Sequence, residues 1–330
     1  LAEGIASPLA DLDLFADVPP TEQDALAARL RPFELDAGAT VIAQGDEGTT
    51  FVLIVAGSAT VTRDGVDVAV VGPGSIVGEL ALLRGEPRAA TVTTTTQLRG
   101  LEGDADDFAA VCDAPGVRAR FGRTAAQRLA TNTAPVSTTL GDGTPVQIRP
   151  VLPADRDNLD RALDHMSIES QRRRFFSPGR PSPAMVSYLV DVDYLNHFAW
   201  VVITPDAAEG PGIASGRSIR LHDRPDTAEI ALGVRDSHQG RGVGKLILGA
   251  LAAAASVGSV TRFQANVLQD NLPMRSLLDR VGVHWRFSEP GVVVTEFDAS
   301  SLCTLIDDDL AAALRASARA TVAAASLALV

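Results

Sequence analysis

The alternation of apolar and polar positions changes character several times along the chain, and each change predicts a different kind of structure. Residues 11–31 read as short helices, with Thr21, Glu22 and Asp24 suited to opening the one that carries Leu26 and Leu30. From Phe33 to Leu101 the pattern shortens into β-rich runs at residues 40–42, 51–55, 59–62, 66–71 and 91–95. Gly45, Gly48, Gly57, Gly65, Gly72 and Gly74 mark the turns between them. Strands this short and this regular predict a small β-roll with flanking helices. Helical character returns from Asp104 to Ala130. Residues 134–145 are rich in Thr, Gly and Pro and read as a linker.

Beyond it strands and helices alternate. Strands are expected at 146–149, 198–203, 228–234, 262–267 and 292–297, and helices at 153–167, 241–255 and 273–281. That order predicts an α/β domain with a central mixed sheet. The expected division is therefore a first domain at 1–134, a linker at 135–145, a second domain at 146–300 and a C-terminal helical lid segment at 301–330.

A chain of 330 residues is long enough for two cores. Its 29 basic and 41 acidic residues give a formal charge of -12, which argues against nucleic acid as a partner. The apolar C-terminal stretch is interrupted by Arg315 and Arg319, so a docked helix is expected there and no membrane partner. Two cysteines and five scattered histidines have no metal-ligand spacing, so no metal is expected. Residues 1–10 lack a basic-then-apolar leader, and a cytoplasmic location follows as the expectation.

Two stretches carry chemistry. In the first, Gly78-Glu79-Leu80-Ala81 opens a short helix whose free backbone N–H groups favour an anion. Arg88, followed by Ala89, can add a charge-assisted fork to a phosphate, while acceptor-only Glu79 suits a sugar hydroxyl. A turn carrying a surface Glu–Arg pair is the plainer reading of those residues alone. With Gln44-Gly45-Asp46-Glu47-Gly48, residues 51–54 and Gly57, however, the whole of 10–132 resembles the cyclic-nucleotide-binding domain. The resemblance implies that Glu79 holds the ribose 2′-OH and Arg88 the exocyclic phosphate oxygen. Ala89 stands where a hydroxyl residue often accompanies cyclic GMP, so cyclic AMP is the implied effector. Arg128 is the candidate lid over the base, a solvated helix arginine being the other reading.

The second stretch is Gln239-Gly240-Arg241-Gly242-Val243-Gly244-Lys245, between a strand and a long apolar helix. It fails as a Walker A loop, which needs Gly at 239 and Ser or Thr at 246, and as a dinucleotide loop, which needs Gly at 245. It resembles the pyrophosphate-gripping loop of the GNAT family of N-acetyltransferases. The preceding strand, with Ala231, Leu232, Gly233 and Val234, would then pair with the pantetheine arm of acetyl-CoA. Downstream, Asn271 ahead of a helix that ends in Gly282 matches a second motif of that family. Asn271 and Arg280 would touch the cofactor, and the resemblance spans residues 146–298.

Acetyl transfer to a lysine needs a neutral amine, and less than about one part in a thousand is neutral at pH 7. Glu229, at the start of the strand beside the loop, is the candidate base; a surface carboxylate on an edge strand is its plainer reading. The Val234 N–H is the candidate oxyanion donor. Many members of the family carry a tyrosine acid seven residues after the asparagine, and this chain has Leu278 there.

With Ser167-Ile168-Glu169-Ser170 and Arg172-Arg173-Arg174-Phe175-Phe176, the chain resembles the mycobacterial cyclic-AMP-regulated protein lysine acetyltransferases. The resemblance implies protein acceptors bearing a reactive lysine, acyl-CoA synthetases among them, and autoinhibition in the absence of cyclic AMP. The C-terminal helix, with acidic residues 307–309 at its start, is expected as a second cover. A small-amine acetyltransferase under cyclic AMP control and a non-catalytic sensor of both ligands are the alternatives. A transcription factor would need a helix-turn-helix and a basic face, neither of which is visible.

Overall fold

The computed structural model describes residues 7–131, 133–177, 179–205 and 212–327. The chain divides into two compact units, the first ending at Thr124 and the second running from Ala125 to Leu327.

The first unit is a β-roll. After α1 (Pro20–Arg29) come β1 (Arg31–Leu35), β2 (Thr40–Ile42), β3 (Phe51–Ala56), β4 (Ala59–Arg63), β5 (Val66–Val71) and β6 (Ile76–Val77). The one-and-a-half-turn helix α2 (Glu79–Arg84) interrupts the strands before β7 (Thr91–Thr94) and β8 (Leu98–Gly103). Two four-stranded sheets result, ordered β1-β8-β3-β6 and β2-β7-β4-β5. Ile42, Val52, Ile54, Val71, Val92 and Leu98 fill the space between them. Gly57 shows why the turns had to be glycine. Its φ is +86°, and a Cβ there would lie 2.2 Å from the Gln97 carbonyl oxygen. Helix α3 (Ala105–Asp113) is held by a capping box in which Asp104 accepts from the N–H groups of Asp106 and Asp107. It is followed by α4 (Val117–Thr131), and Phe108 meets both Phe51 and Phe121 edge-on.

The second unit is one eight-stranded sheet covered by helices. Its strands are β9 (Val136–Thr139), β10 (Pro145–Pro150), β11 (His197–Ile203), β12 (Gly212–Arg220), β13 (Thr227–Val234), β14 (Arg262–Leu268), β15 (Arg286–Glu289) and β16 (Val292–Asp298). The order is β15-β16-β14-β13-β12-β11-β10-β9, antiparallel throughout except for the β13–β14 pair. The helices are α5 (Arg156–Asp164), α6 (Ile168–Phe175), α7 (Pro183–Val190), α8 (Val243–Val257), α9 (Leu272–Asp279) and α10 (Asp308–Leu327). Helix α8 is buried almost all round, and Trp200 on β11 donates its indole N–H to the Ala250 carbonyl at 2.9 Å. A parallel pair needs a crossover, and α8 supplies it.

Two expectations require correction. The Thr/Gly/Pro-rich stretch is not a linker, because residues 136–139 pair with β10 as the edge strand of the sheet. The helix expected at 153–167 ends at Asp164, and a second helix that was not expected follows it. Ser167 caps a new helix with its hydroxyl on the Ser170 N–H, and Gln171 donates to the Leu163 and Met166 carbonyls at the break. The C-terminal segment forms the docked helix expected of it. Ala311, Leu314, Ala318, Thr321 and Ala325 form a buried stripe at helical spacing that docks α10 on α8.

Candidate functional site

The sheet of the second unit opens at one place. Strand β13 stays paired with β12 as far as Val234, but it meets β14 only at Thr227, Ala228 and Glu229. Beyond that point β14 keeps only its pairing with β16, on its other edge, and the two parallel strands part. The gap becomes a cleft of about 600 Å³, with Ala231, Leu232, Gly233 and Val234 on one wall and Asn266 and Val267 on the other. One edge of β13 is thus left without a neighbouring strand, and its backbone groups are suited to pairing with an extended ligand.

Immediately after β13 the chain enters the glycine loop. Gly240 (φ +75°) and Gly242 (φ +92°) take left-handed conformations, and a Cβ at either would meet nothing within 4 Å. Glycine is required there by the backbone turn, which leaves the N–H groups uncovered. Gly242 caps α8 without any side-chain acceptor, so the first turn of that helix presents unpaired donors and the positive end of its dipole. Gln239, Gly240, Gly242, Val243, Gly244, Asn271 and Arg280 all line the cleft, together with Lys245. The residues present therefore fit a diphosphate at the loop and an extended arm along β13.

Some of the expected ligands have other work. Arg241 turns away from the cleft: its guanidinium bonds Asp142 at 2.5 Å and the Thr144 hydroxyl, holding the Asp142 carboxyl well below the usual range. Only its backbone is left for a cofactor. Gln239 spends its amide N–H groups on the Val234 carbonyl, the Ser170 hydroxyl and Asp236. The Asn271 oxygen caps α9 by accepting the Met274 N–H at 3.3 Å. Leu278, in the expected place of a tyrosine acid, is wholly buried in the core.

The other wall is built by α6 and α7. Asp236, at the end of the β13 loop, accepts the Ser167 N–H at 2.6 Å and the Ser170 hydroxyl, tying α6 to the loop. This brings Arg173, Arg174, Phe175 and Phe176 to the cleft, joined by Met185, Tyr188 and Leu189 of α7. Glu229 lies at the point where the strands separate, facing this wall. Direct cross-strand partners share a face, so Glu229, Ala231, Ile219 and Arg217 all point the same way. Burial pushes the Arg174 guanidinium down to about 10, with Glu229 opposing the shift. Arg217 is 2% exposed, and its Nη1 donates to the Leu189 carbonyl at 2.8 Å and lies 3.0 Å from His197 Nε2. None of Arg217, Tyr188, Met185 or Asn266 was singled out from sequence.

His197, stacked on Tyr188 with ring centroids 5.0 Å apart, is pushed down to about 4, by burial first and the Arg217 charge second. The folded protein thus keeps His197 neutral where the unfolded chain, with a value near 6.5, takes up a proton. Its contribution to stability is complete above about 6.5 and is lost as pH falls toward 4, on the order of 2–3 kcal/mol. Urea unfolding followed by tryptophan fluorescence checks this, since Trp200 and Trp285 both belong to the second unit. The wild type should lose stability across that range, and His197→Gln should flatten the slope.

In the first unit the phosphate cassette is compact. Gly78 (φ +87°) opens α2, and a Cβ there would lie 2.4 Å from Arg88 Nη1. The Arg88 guanidinium is 8% exposed; Nη1 donates to the carbonyls of Thr50 (2.7 Å) and Gly78 (2.8 Å), and Nη2 to the Thr50 hydroxyl (3.1 Å). Burial lowers its pKa, while Glu102, Glu79 and Asp46 oppose the shift. Ala81 is buried beneath Gly48, whose missing side chain makes room for it: a Cβ on Gly48 would sit 2.1 Å from that of Ala81. Leu80 is half-buried and Ala89 exposed. The side chain of Arg128 lies outside the described residues.

Comparison with known proteins places both halves. Residues 32–114 match the cyclic nucleotide-binding domain, and residues 146–284 the acetyltransferase (GNAT) domain. Acetyltransferase Pat of Mycolicibacterium smegmatis is 39% identical over 309 residues, which is 92% of this chain and 92% of that one. The chain belongs to that family. It is an N-acyltransferase with a cyclic-nucleotide-binding domain in front, as the two motifs implied. The solved structure of a cAMP-binding acyltransferase from Mycobacterium smegmatis covers 97% of this chain and 97% of its own, with 37% identity and a TM-score of 0.50. Over the first unit, a CRP-like cAMP-activated global transcriptional regulator of Mycobacterium tuberculosis is 30% identical across 127 residues, 37% of this chain and 57% of the regulator.

Proposed function

We propose that the chain transfers the acetyl group of acetyl-CoA to the ε-amino group of lysines in protein acceptors, acyl-CoA synthetases among them. We further propose that it is autoinhibited until cyclic AMP binds the first unit. The observation that carries the catalytic reading is Glu229, a carboxylate at the throat of the cleft where β13 and β14 part. In this reading Glu229 removes the proton from the approaching ammonium, directly or through water, and leaves a neutral amine. The amine nitrogen then attacks the thioester carbon, with the Val234 N–H facing the developing oxyanion. The C–S bond breaks, the amide nitrogen gives up its second proton to water, and the leaving thiolate takes a proton from water, since Leu278 offers none. The loop at 239–244 with Asn271 and Arg280 would hold the cofactor, and Ala231, Leu232, Gly233 and Val234 would align its arm.

In the first unit, Gly78, Glu79, Leu80 and Ala81 would form the wall of a cyclic AMP pocket, with Arg88 and Ala89 at the phosphate and Arg128 as the lid. Two free cysteines agree with a reducing, cytoplasmic setting. Support for a polypeptide acceptor comes from the cleft mouth. Phe176, Met185 and Tyr188 line it while 43%, 43% and 46% exposed, an apolar rim that a polyamine would leave bare. Acetylation of a lysine peptide should therefore exceed that of spermidine by at least about tenfold in kcat/KM. Faster turnover of spermidine would reverse the assignment.

A further inference from the structure

Arg217 is an uncommon residue to find where it is. It stands in the middle of β12, 2% exposed, next to the centre of the sheet. Its Nη1 is satisfied by the Leu189 carbonyl and His197, but its buried Nε has no hydrogen-bond partner. A guanidinium kept in the interior with a donor unspent is costly unless something arrives to use it.

Its surroundings say what that would be. Arg217 pairs across the strands with Ala231, so Glu229 is its diagonal neighbour on the same face, a spacing of roughly 7 Å. Arg174 reaches the same wall from α6, its side chain passing 3.7 Å from where a Cβ on Gly233 would be. Arg174, Arg217 and Glu229 all line the one cleft. Two guanidiniums thus face a single carboxylate, in a chain whose formal charge is -12. The excess positive charge is local, and it sits where β12 faces α6 and α7, beside the apolar rim.

We propose that Arg217 and Arg174 form a carboxylate subsite on the acceptor side of the cleft, which recognises an Asp or Glu flanking the lysine to be acetylated. The inference rests on the protein-lysine reading above. A guanidinium is matched to a carboxylate by its fork of N–H donors. The subsite also serves the chemistry. With two guanidiniums beside one carboxylate, an incoming ammonium is repelled. An acceptor carboxylate offsets that repulsion, so the correct acceptor brings its lysine to Glu229.

The test uses the full chain with acetyl-CoA and two matched lysine peptides, one with Glu flanking the lysine and one with Gln. The Glu peptide should be preferred by about tenfold in kcat/KM, chiefly through KM. Arg217→Met and Arg174→Met should each reduce that preference, and Arg217→Lys should restore part of it, which a merely structural role would not produce. If Arg217→Met fails to fold, the wild-type comparison and Arg174→Met decide the matter. Equal kcat/KM for the two peptides overturns the subsite and leaves the lysine reading standing. Turnover of spermidine with neither peptide used overturns both. Indifference to the flank together with a preference for succinyl-CoA over acetyl-CoA would give the carboxylate to the donor and overturn the assignment to the acceptor.

Discussion

Replacing Glu229 by Gln should lower kcat for acetyl transfer by about 10²–10⁴-fold while leaving acetyl-CoA affinity close to that of the wild type. The amide keeps the size of the carboxylate but cannot take a proton, and the loop that would hold the cofactor lies at the far end of β13. Stopped assays for CoA release, paired with calorimetric titration of acetyl-CoA, separate the two effects. The pH profile adds a stronger test. A lysine near 10.4 deprotonates by itself as pH rises, so the deficit of Glu229→Gln should shrink in alkaline buffer. A variant that was only misfolded would keep the same deficit at every pH. Glu229 also opposes the positive charge of Arg174, so the substitution should cost some stability as well.

In the first unit the largest effect is expected at Arg88. Arg88→Ala should weaken cyclic AMP binding by about 10²-fold or more, because it removes a buried guanidinium at the mouth of α2. It should also destabilise the roll by about 1–3 kcal/mol, since the carbonyls of Thr50 and Gly78 lose their donor. Arg88→Lys keeps the charge but lacks the planar fork whose second nitrogen reaches the Thr50 hydroxyl, and an intermediate affinity is expected. Acetyl-CoA binding should be unaffected in either variant, which calorimetry on the same samples would check.

How far the sequence alone could reach follows from the range of the interactions involved. The roll was legible because its turns demand glycine locally, as at Gly57, and its strands alternate. The loop at 239–245 was legible because positive φ at Gly240 and Gly242 leaves its mark in the residues themselves. Strand β12 was not. Its residues, Gly-Ile-Ala-Ser-Gly-Arg-Ser-Ile-Arg, have little strand character, and Gly216 is explained only by Ile247, whose Cγ2 would be 2.1 Å from a Cβ there. Arg217 was lost with it. Helix α6 was not anticipated, because the group that anchors its start, Asp236, arrives from 69 residues away. The arginines of residues 172–174 entered the sequence reading only through a resemblance, yet two of them line the cleft. Strand β9 looked like a linker because Val136–Thr139 is a strand only when β10 is beside it.

Regulation requires that cyclic AMP bind one state of the protein more tightly than another, and a tenfold change in activity corresponds to about 1.4 kcal/mol of coupling. The most direct test is acetyl transfer to a lysine-bearing acyl-CoA synthetase, measured with and without cyclic AMP, for the wild type and for Arg88→Ala. The expected result is turnover that rises with cyclic AMP in the wild type and stays at its low basal level in the variant at every nucleotide concentration. Equal turnover with and without the nucleotide, in wild-type protein that binds it, would contradict the account.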